Sequence, residues 1–421
     1  MNRAFIIAAR RTPVAPRGGA FAGLELHELA APVIRAVLAD AGLPAGRVGE
    51  VILGNALSGG GNPARLAALA AGLPESVPAM TLDTQCCSGL DAVLLAADRV
   101  RAGAADVVVA GGAESYSRAP IRMVRPKAAG EEPRAYERPP FTPWQDRDPD
   151  MIPAAAALAE RLGITRADQE AFAVASHGRA LAARPMAEVV AVGITSEDAF
   201  TRDLSPAACR RLPVLAGGAE HGVTAATVAV EADAAAVVLV VSEAVARDHA
   251  GPVLEIVGGA RAGGDPVEPG LALVPAARQL LDSHAVGASD LAVAEIMEAF
   301  AAQVIAGITS LGLEPGIVNR GGGALARGHP IGASGAVLAV RLFHELVFLS
   351  SRTERSGEPG SKNTEGWNLE GGVASFHREH SGYGSRLKAG MTKEENVLGL
   401  AAIAAAGGLG SAMLVRAVTL G

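Results

Sequence analysis

Between Thr81 and Gly112 the chain reads TLDTQCCSGLDAVLLAADRVRAGAADVVVAGG, and this stretch restricts the fold more than any other. A polar turn carrying the adjacent thiols Cys86 and Cys87 opens into a Leu, Ala and Val run that nothing interrupts before Gly103. Apolar residues cover most of the circumference, which predicts a helix starting near Ser88 and buried all round. The β-branched run Ala105–Ala110, bounded by glycines, reads as a strand covered on both faces. A thiol just before a helix start meets unpaired backbone N–H groups and the positive dipole end, so its pKa is expected to fall. Of two neighbouring cysteines only one can sit correctly at such a turn. Most free cysteines are simply small buried hydrophobes, and taken alone the stretch favours that reading.

A chain of 421 residues exceeds one ordinary core, so two domains of about 200 residues are expected. Hydrophobic residues make up 49% and aromatics 3%, so Ala, Val and Leu must build the cores. Small side chains allow close helix–sheet packing, which suits an α/β architecture. A net charge of −7 gives no basic field and excludes nucleic acid as a partner. Three cysteines, two of them adjacent, are too few for a disulfide framework and place the chain in a reducing, cytoplasmic setting. No apolar run in the sequence reaches the length that spans a bilayer, so no membrane is expected. Met1–Arg17 is Arg-rich and its first acid is Glu25, but Ala4–Ala9 (AFIIAA) reads as a first strand, not as a transit peptide.

Further on, apolar positions recur at helical spacing over Leu24–Ala41 up to Gly42, followed by a short strand at Val51–Gly54. The glycine-rich turn Ser58–Asn62 leads into a second helix. Strand, helix, strand, helix predicts a mainly parallel layered sheet. Ala113–Pro153, rich in Arg, Pro and acids, reads as a surface excursion that covers something, and Thr165 with Asp168 forms a capping pattern before a long helix. Ala234–Val241 returns to a buried strand, and Val253–Gly259 begins a second α/β pattern that ends in VNRGGGALARGHPIGASG (318–335) and the apolar helix Ala336–Leu346. Ser88-Gly89 and Ser334-Gly335 each open a buried Ala/Val/Leu helix. This echo predicts two copies of one unit packed back to back, with their helix starts together. Ser351–Asn396 holds three of the chain's four lysines and only two alanines, and reads as a loop or disordered insertion.

A thiol at a helix start and a histidine in a glycine-bounded turn are the minimum set for a covalent acyl intermediate. The glycines Gly321–Gly323 lack dinucleotide spacing. Cys209 has no partner at ligand spacing and reads as structural, so no metal site is expected. In order along the chain, AARRTPVAPRGGAF, VILGN (51–55), GNPARLAALAAGLP (61–74), QCCSGLDAV (85–93), GGAESYSRAP (111–120) and ITRADQEAFAVASHGRALAA (164–183) resemble the thiolase family. So do EAFAAQ (298–303), GGGALARGHPIGASGA (321–336) and GLAAIAAAGGLGSAML (399–414). The resemblance covers nearly everything outside Ser351–Asn396. It implies an α/β fold of two similar layered α/β/α/β/α halves with a covering loop region. The N-terminal domain would be 1–250, its covering region about 113–230, and the C-terminal domain 251–421 with its insertion at 351–396.

By the same resemblance Cys86 is the acylated nucleophile and His329 its base. Ala229, Met297 and Phe300 would meet coenzyme A, whose thioesters are substrates with no permanently bound cofactor. The protein would act as a homodimer or homotetramer. Three departures qualify this. The family's second catalytic cysteine corresponds to Ala404, which does no acid–base chemistry. Its oxyanion-hole asparagine corresponds to Met297, which donates no hydrogen bond. A coenzyme-contacting Gly-Asn-x-Ser-like stretch corresponds to Ala226–Ala229. The expected function is therefore a thiolase-like acyl-CoA acyltransferase with impaired condensation. The alternatives are acyl transfer from Cys86 to a non-carbon acceptor or water, and a non-catalytic paralogue kept as a subunit or scaffold.

Overall fold

A computed structural model describes residues 2–355, 366–370, 373–377 and 397–420. Its principal strands are β1 (Ala4–Arg11), β2 (Glu50–Gly54), β3 (Ala79–Leu82), β4 (Val107–Glu114) and β5 (Ala232–Ser242). They continue with β6 (Val253–Gly263), β7 (Leu291–Ile296), β8 (Leu398–Ala405) and β9 (Leu409–Val418). The helices that pack on them are α1 (Leu26–Asp40), α2 (Pro63–Ala70), α3 (Ser88–Arg101), α4 (Leu273–Ser283), α5 (Ala301–Leu311) and α6 (Ser334–Arg355).

The strands pair in the order β7-β8-β9-β6-β1-β5-β4-β2-β3. Pairing is parallel only for β2 with β3, β2 with β4 and β7 with β8. The five other pairings along this path are antiparallel. The expectation of a mainly parallel sheet is corrected accordingly. Strand–helix alternation dictates parallel neighbours only where a helix returns the chain, and β5, β6 and β9 follow other connections.

The expected internal repeat is present. In the first half β1 pairs β5, β5 pairs β4, and β4 pairs β2. In the second half β6 pairs β9, β9 pairs β8, and β8 pairs β7, with the same parallel and antiparallel senses. Even the register shift recurs, between Ile6 and Ala8 in one first strand and between Ile256 and Gly258 in the other. Three apolar cores give the layers. One lies between α1, α2 and the outer face of the first half, and one between α4, α5 and the outer face of the second. The third encloses α3 and α6 between the two inner faces, with Ile52, Val108 and Val238 on one side and Val293, Ala401 and Met413 on the other. This is the predicted α/β/α/β/α arrangement.

Small residues make the central layer possible. A Cβ added to Gly89 would stand 2.7 Å from the backbone N of Ala336, and one on Gly335 would stand 2.5 Å from the N of Leu90. The starts of α3 and α6 therefore touch backbone to backbone. Local chemistry sets the flanking helices. Asn62 in a left-handed conformation caps α2 ahead of Pro63. Thr165 and Asp168 form the expected capping box on the helix Arg166–Ala182.

Two sequence expectations change here. Ile331–Ser351 is, by length and composition, apolar enough to cross a bilayer, contrary to the reading that no run reaches that length. In the fold 67% of that window is buried, because it supplies the central helix. That helix also runs on to Arg355, past the expected start of the insertion at Ser351. The insertion's reading as a loop concerns residues that lie mostly outside the described ones. Within it, Gly366–Glu370 and Val373–His377 pair as an antiparallel hairpin.

The contact between helix starts leaves no room for a methyl group. Gly335→Ala is expected to cost of the order of 1–3 kcal/mol in urea unfolding. Gly178→Ala, in the exposed face of the helix Arg166–Ala182 where an added Cβ meets nothing within 4 Å, is expected to stabilise by up to about 1 kcal/mol. Equal and small effects at both positions would contradict the packing argument.

Candidate active site

A 3₁₀ turn, Gln85–Cys87, leads into α3, and its counterpart Ile331–Ala333 leads into α6. Because the helix starts meet, the two turns face each other, and His329 Nε2 lies 3.3 Å from Cys86 Sγ. The sulfur of Cys87 points the other way, 3.7 Å from the Ile403 carbonyl and 3.9 Å from that of Leu409. Only Cys86 meets the histidine. Gln85 holds a left-handed backbone, with φ of 56°, which turns the chain so that successive thiols point apart. Ser88 Oγ, bonded to the Thr84 N–H at 2.9 Å and to the Gln85 carbonyl, closes this turn.

The protonation of the histidine follows from its second partner. Ser334 Oγ donates to the Pro330 carbonyl at 3.1 Å and lies 2.6 Å from His329 Nδ1. The serine proton being used, Nδ1 must carry the hydrogen, which leaves the lone pair of Nε2 directed at the thiol. Burial holds His329 down at about 4 and pushes Cys86 up to about 12, with Glu114 and Asp83 adding to the rise. The expectation of a thiol drawn toward thiolate is thus corrected: loss of water around the sulfur outweighs the helix dipole. The resting pair is a neutral thiol donating to a neutral imidazole. The backbone N–H groups of Ala406 and of Cys86 itself oppose the rise. They are donors aimed where negative charge on a sulfur or an adjacent carbonyl oxygen would form.

The positions expected to meet coenzyme A divide into two groups. Ala229 donates its N–H to the Ala299 carbonyl at 3.0 Å, and Val228 bridges Phe300. Phe300 packs in a small cluster with Ile152, Ala155 and Val223 of the covering region. Two residues on, His329 donates its N–H to the Val230 carbonyl at 2.7 Å, so one short segment ties Phe300 to the histidine turn. Met297 sits apart, buried in the central core against β8 through its N–H to the Ala402 carbonyl. Ala404 is half-buried at the end of β8. Among the described residues no cluster of potential ligands could hold a metal ion.

Sequence reasoning gave no role to Asn55, Glu114, Ser334 or Ala406. Ala406 acts through its backbone and leaves no side-chain signal. Asn55 and Glu114 were visible as polar residues ending the apolar runs of β2 and β4. Glu114 is buried, accepting from Asn55 Nδ2 at 2.6 Å and from the N–H groups of Ala56 and Gly332 at 3.0 Å each. Burial pushes it up to about 7. Outside the site, Arg327 is held by Asp198 at 3.1 Å, and Asp198 also binds Arg11 at 2.6 Å. This buried network fixes the segment just before His329 against the covering region.

Comparison with known proteins agrees with this geometry. Residues 4–244 match the model of the thiolase N-terminal domain, and residues 250–354 match that of the thiolase C-terminal domain. An acetyl-CoA acetyltransferase of Pseudomonas aeruginosa is 40% identical over 369 residues, covering 82% of this chain and 93% of the relative. The crystal structure of the Bacillus anthracis acetyl-CoA acetyltransferase superposes with a TM-score of 0.81 at 30% identity, covering 99% of each chain. With its paired helix starts, its thiol–imidazole contact and these matches to both halves, the chain belongs to the thiolase family and is an acyltransferase of the thiolase type.

Proposed function

We propose that this chain transfers acyl groups from acyl-coenzyme A through a thioester on Cys86, and that it forms carbon–carbon bonds poorly. The observation that carries the first part is the 3.3 Å contact between Cys86 Sγ and Nε2 of His329. As the sulfur attacks a thioester carbonyl, its proton passes to Nε2. The imidazolium that results is held by Ser334, and the carbonyl oxygen gains negative charge near the N–H groups of Cys86 and Ala406. Collapse expels the coenzyme A thiolate, which takes the proton back from His329. A high thiol pKa does not oppose this route, because proton transfer and attack proceed together.

The second part rests on what stands beside the pair. Condensation needs a base that removes an α-proton from a second acyl-CoA, and such a base contributes about 10²–10⁴-fold. Ala404 supplies none, and Met297 offers no hydrogen bond to an enolate oxygen. The base in contact with Cys86 is His329, and it must first lose the proton taken from Cys86. Transfer to water or to a non-carbon acceptor needs no second base, and these two residues favour that outcome over condensation.

The edge of the sheet supports assembly as a homodimer. β3 has a strand neighbour on one side only, and Met80 on it and Leu66 and Leu69 beside it are exposed. A homodimer formed through this edge would cover them.

Incubation with acetyl-CoA should add one acetyl group to the intact mass, lost in Cys86→Ala and retained in Cys87→Ala. Retention in Cys86→Ala would overturn the assignment. His329→Ala is expected to slow acylation by about 10²–10⁴-fold. Ala404→Cys should raise acetoacetyl-CoA synthesis by about 10²-fold; rapid thiolysis of acetoacetyl-CoA by the unaltered chain would refute the claim of impaired condensation. Met80→Asp is expected to shift the protein toward monomer in light scattering, and an unchanged mass would place assembly elsewhere.

A further inference from the structure

The internal repeat assigns Glu114 a counterpart. Gly54 of β2 pairs with Gly112 of β4, and Ile296 of β7 pairs with Ala402 of β8. The residues that follow therefore correspond. Asn55 matches Met297, and Glu114, two past Gly112, matches Ala404, two past Ala402. The half of the sheet that faces the thiol turn carries no polar pair there, while the half that faces the histidine turn carries one. That pair has no task in acyl transfer as derived above.

What it touches is the histidine turn. Glu114 Oε2 accepts the Gly332 N–H at 3.0 Å, and Ala333 N–H closes the same turn on the Pro330 carbonyl at 2.8 Å. A Cβ on Gly332 would come within 2.6 Å of Asn55 Cα and 2.8 Å of Glu114 Oε2, so turn and carboxylate are in close contact. Asn55 holds the carboxylate in place by donating to Oε1 while bonding the Ala113 carbonyl at 3.0 Å and accepting the Ser58 N–H at 3.0 Å. All of the hydrogen-bond donors to Glu114 are amides: the backbone of Ala56, Leu57 and Gly332 and the side chain of Asn55. Only an ionised carboxylate accepts at both oxygens without presenting an O–H to one of these donors.

We propose that Glu114 is a positioning residue, whose carboxylate holds the His329–Ala333 turn through Gly332 so that Nε2 stays aligned with Cys86. The proposal rests on the reading of Cys86 and His329 as acylated thiol and base. Misplacement of a base by about 1 Å costs of the order of 10²-fold in rate, so the brace is felt in kcat and not in KM. The titratable groups that face Glu114 are Cys86, from the turn before α3, and Tyr116, two residues along its own chain, with Glu25, His27 and Arg118 lining the cleft beside it. Burial raises Cys86 and Tyr116, and His329 lies far below neutrality at about 4. Glu114, pushed up to about 7 by burial, changes charge near neutral pH in contact with the turn. Protonation as pH falls through that value removes an acceptor and loosens the turn.

The test is the pH dependence of Cys86 alkylation by iodoacetamide, read by peptide mass spectrometry, together with acylation by acetyl-CoA. In the unaltered protein the alkylation rate should show an added fall as pH drops through about 7. In Glu114→Gln that inflection should vanish, and the acylation kcat should fall of the order of 10²-fold with KM unchanged. Glu114→Asp should retain the inflection in weakened form. A profile of the unaltered protein without an inflection overturns the proposal without any variant. So does a Glu114→Gln protein with normal kcat, or one that loses activity only in proportion to its folded fraction. An inflection in alkylation without any acylation by acetyl-CoA would uphold the brace and refute the acyl-transfer reading instead.

Discussion

The contact on which the structure depends is the meeting of two helix starts without side chains between them. Gly54, Gly89 and Gly335 each lie so close to opposing backbone that a Cβ would stand within 2.7 Å of it. Everything functional follows from this approach. It brings the turn of one half against the strand ends of the other, in both directions. Cys87 and Cys86 reach Ile403 and Ala406 at the end of β8, and Gly332 reaches Glu114 at the end of β4. A thiol from the first repeat and an imidazole from the second are thereby held 3.3 Å apart by groups too small and too enclosed to move.

The same enclosure decides the electrostatics. A cysteine at a helix start in water would ionise more easily, and here the helix start is largely enclosed, with Cys86 and His329 each only partly exposed. Desolvation dominates for both partners, raising the thiol and lowering the imidazole, so charge separation is deferred until a substrate carbonyl is present to share it. The hydrogen bond from His329 Nδ1 to Ser334, only five residues away on α6, makes this possible by fixing the tautomer. A charged resting pair would already hold a thiolate and would attack without needing a base, so the neutral pair depends on His329 to take the proton during attack.

Much of this was legible in the residues. The all-apolar run after Ser88, the Ser-Gly echo at Ser334, the capping box at Thr165 and the glycine-bounded His329 carry local physics that survives into the fold. What was not legible falls into three kinds. Strand sense depends on which elements the chain returns through, so β5 and β6 pair antiparallel where alternation alone suggests parallel. The direction of the Cys86 shift depends on burial from all sides, which no single stretch reveals. Backbone donors such as Ala406, and side chains acting on another half such as Glu114, have no local pattern at all. The repeat itself offered a route to them, since matching β2 with β7 and β4 with β8 aligns Asn55 with Met297 and Glu114 with Ala404.

That alignment also gives the departures at Met297 and Ala404 a physical meaning. Two halves built alike begin with equivalent strand ends, and each pair of strand ends faces the turn of the opposite repeat. Where the turn carries a histidine that must be held still, a carboxylate engaged by several amide donors suits the task, and those bonds offset part of the cost of its burial. Where the turn carries a thiol that must meet a second substrate, an engaged carboxylate would repel the developing thiolate, so the corresponding position must be small or must carry a lightly held proton. Alanine at 404 satisfies the first condition and abandons the second. The two repeats thus differ in chemistry at their strand ends, one carrying the polar pair Asn55 and Glu114 and the other Met297 and Ala404.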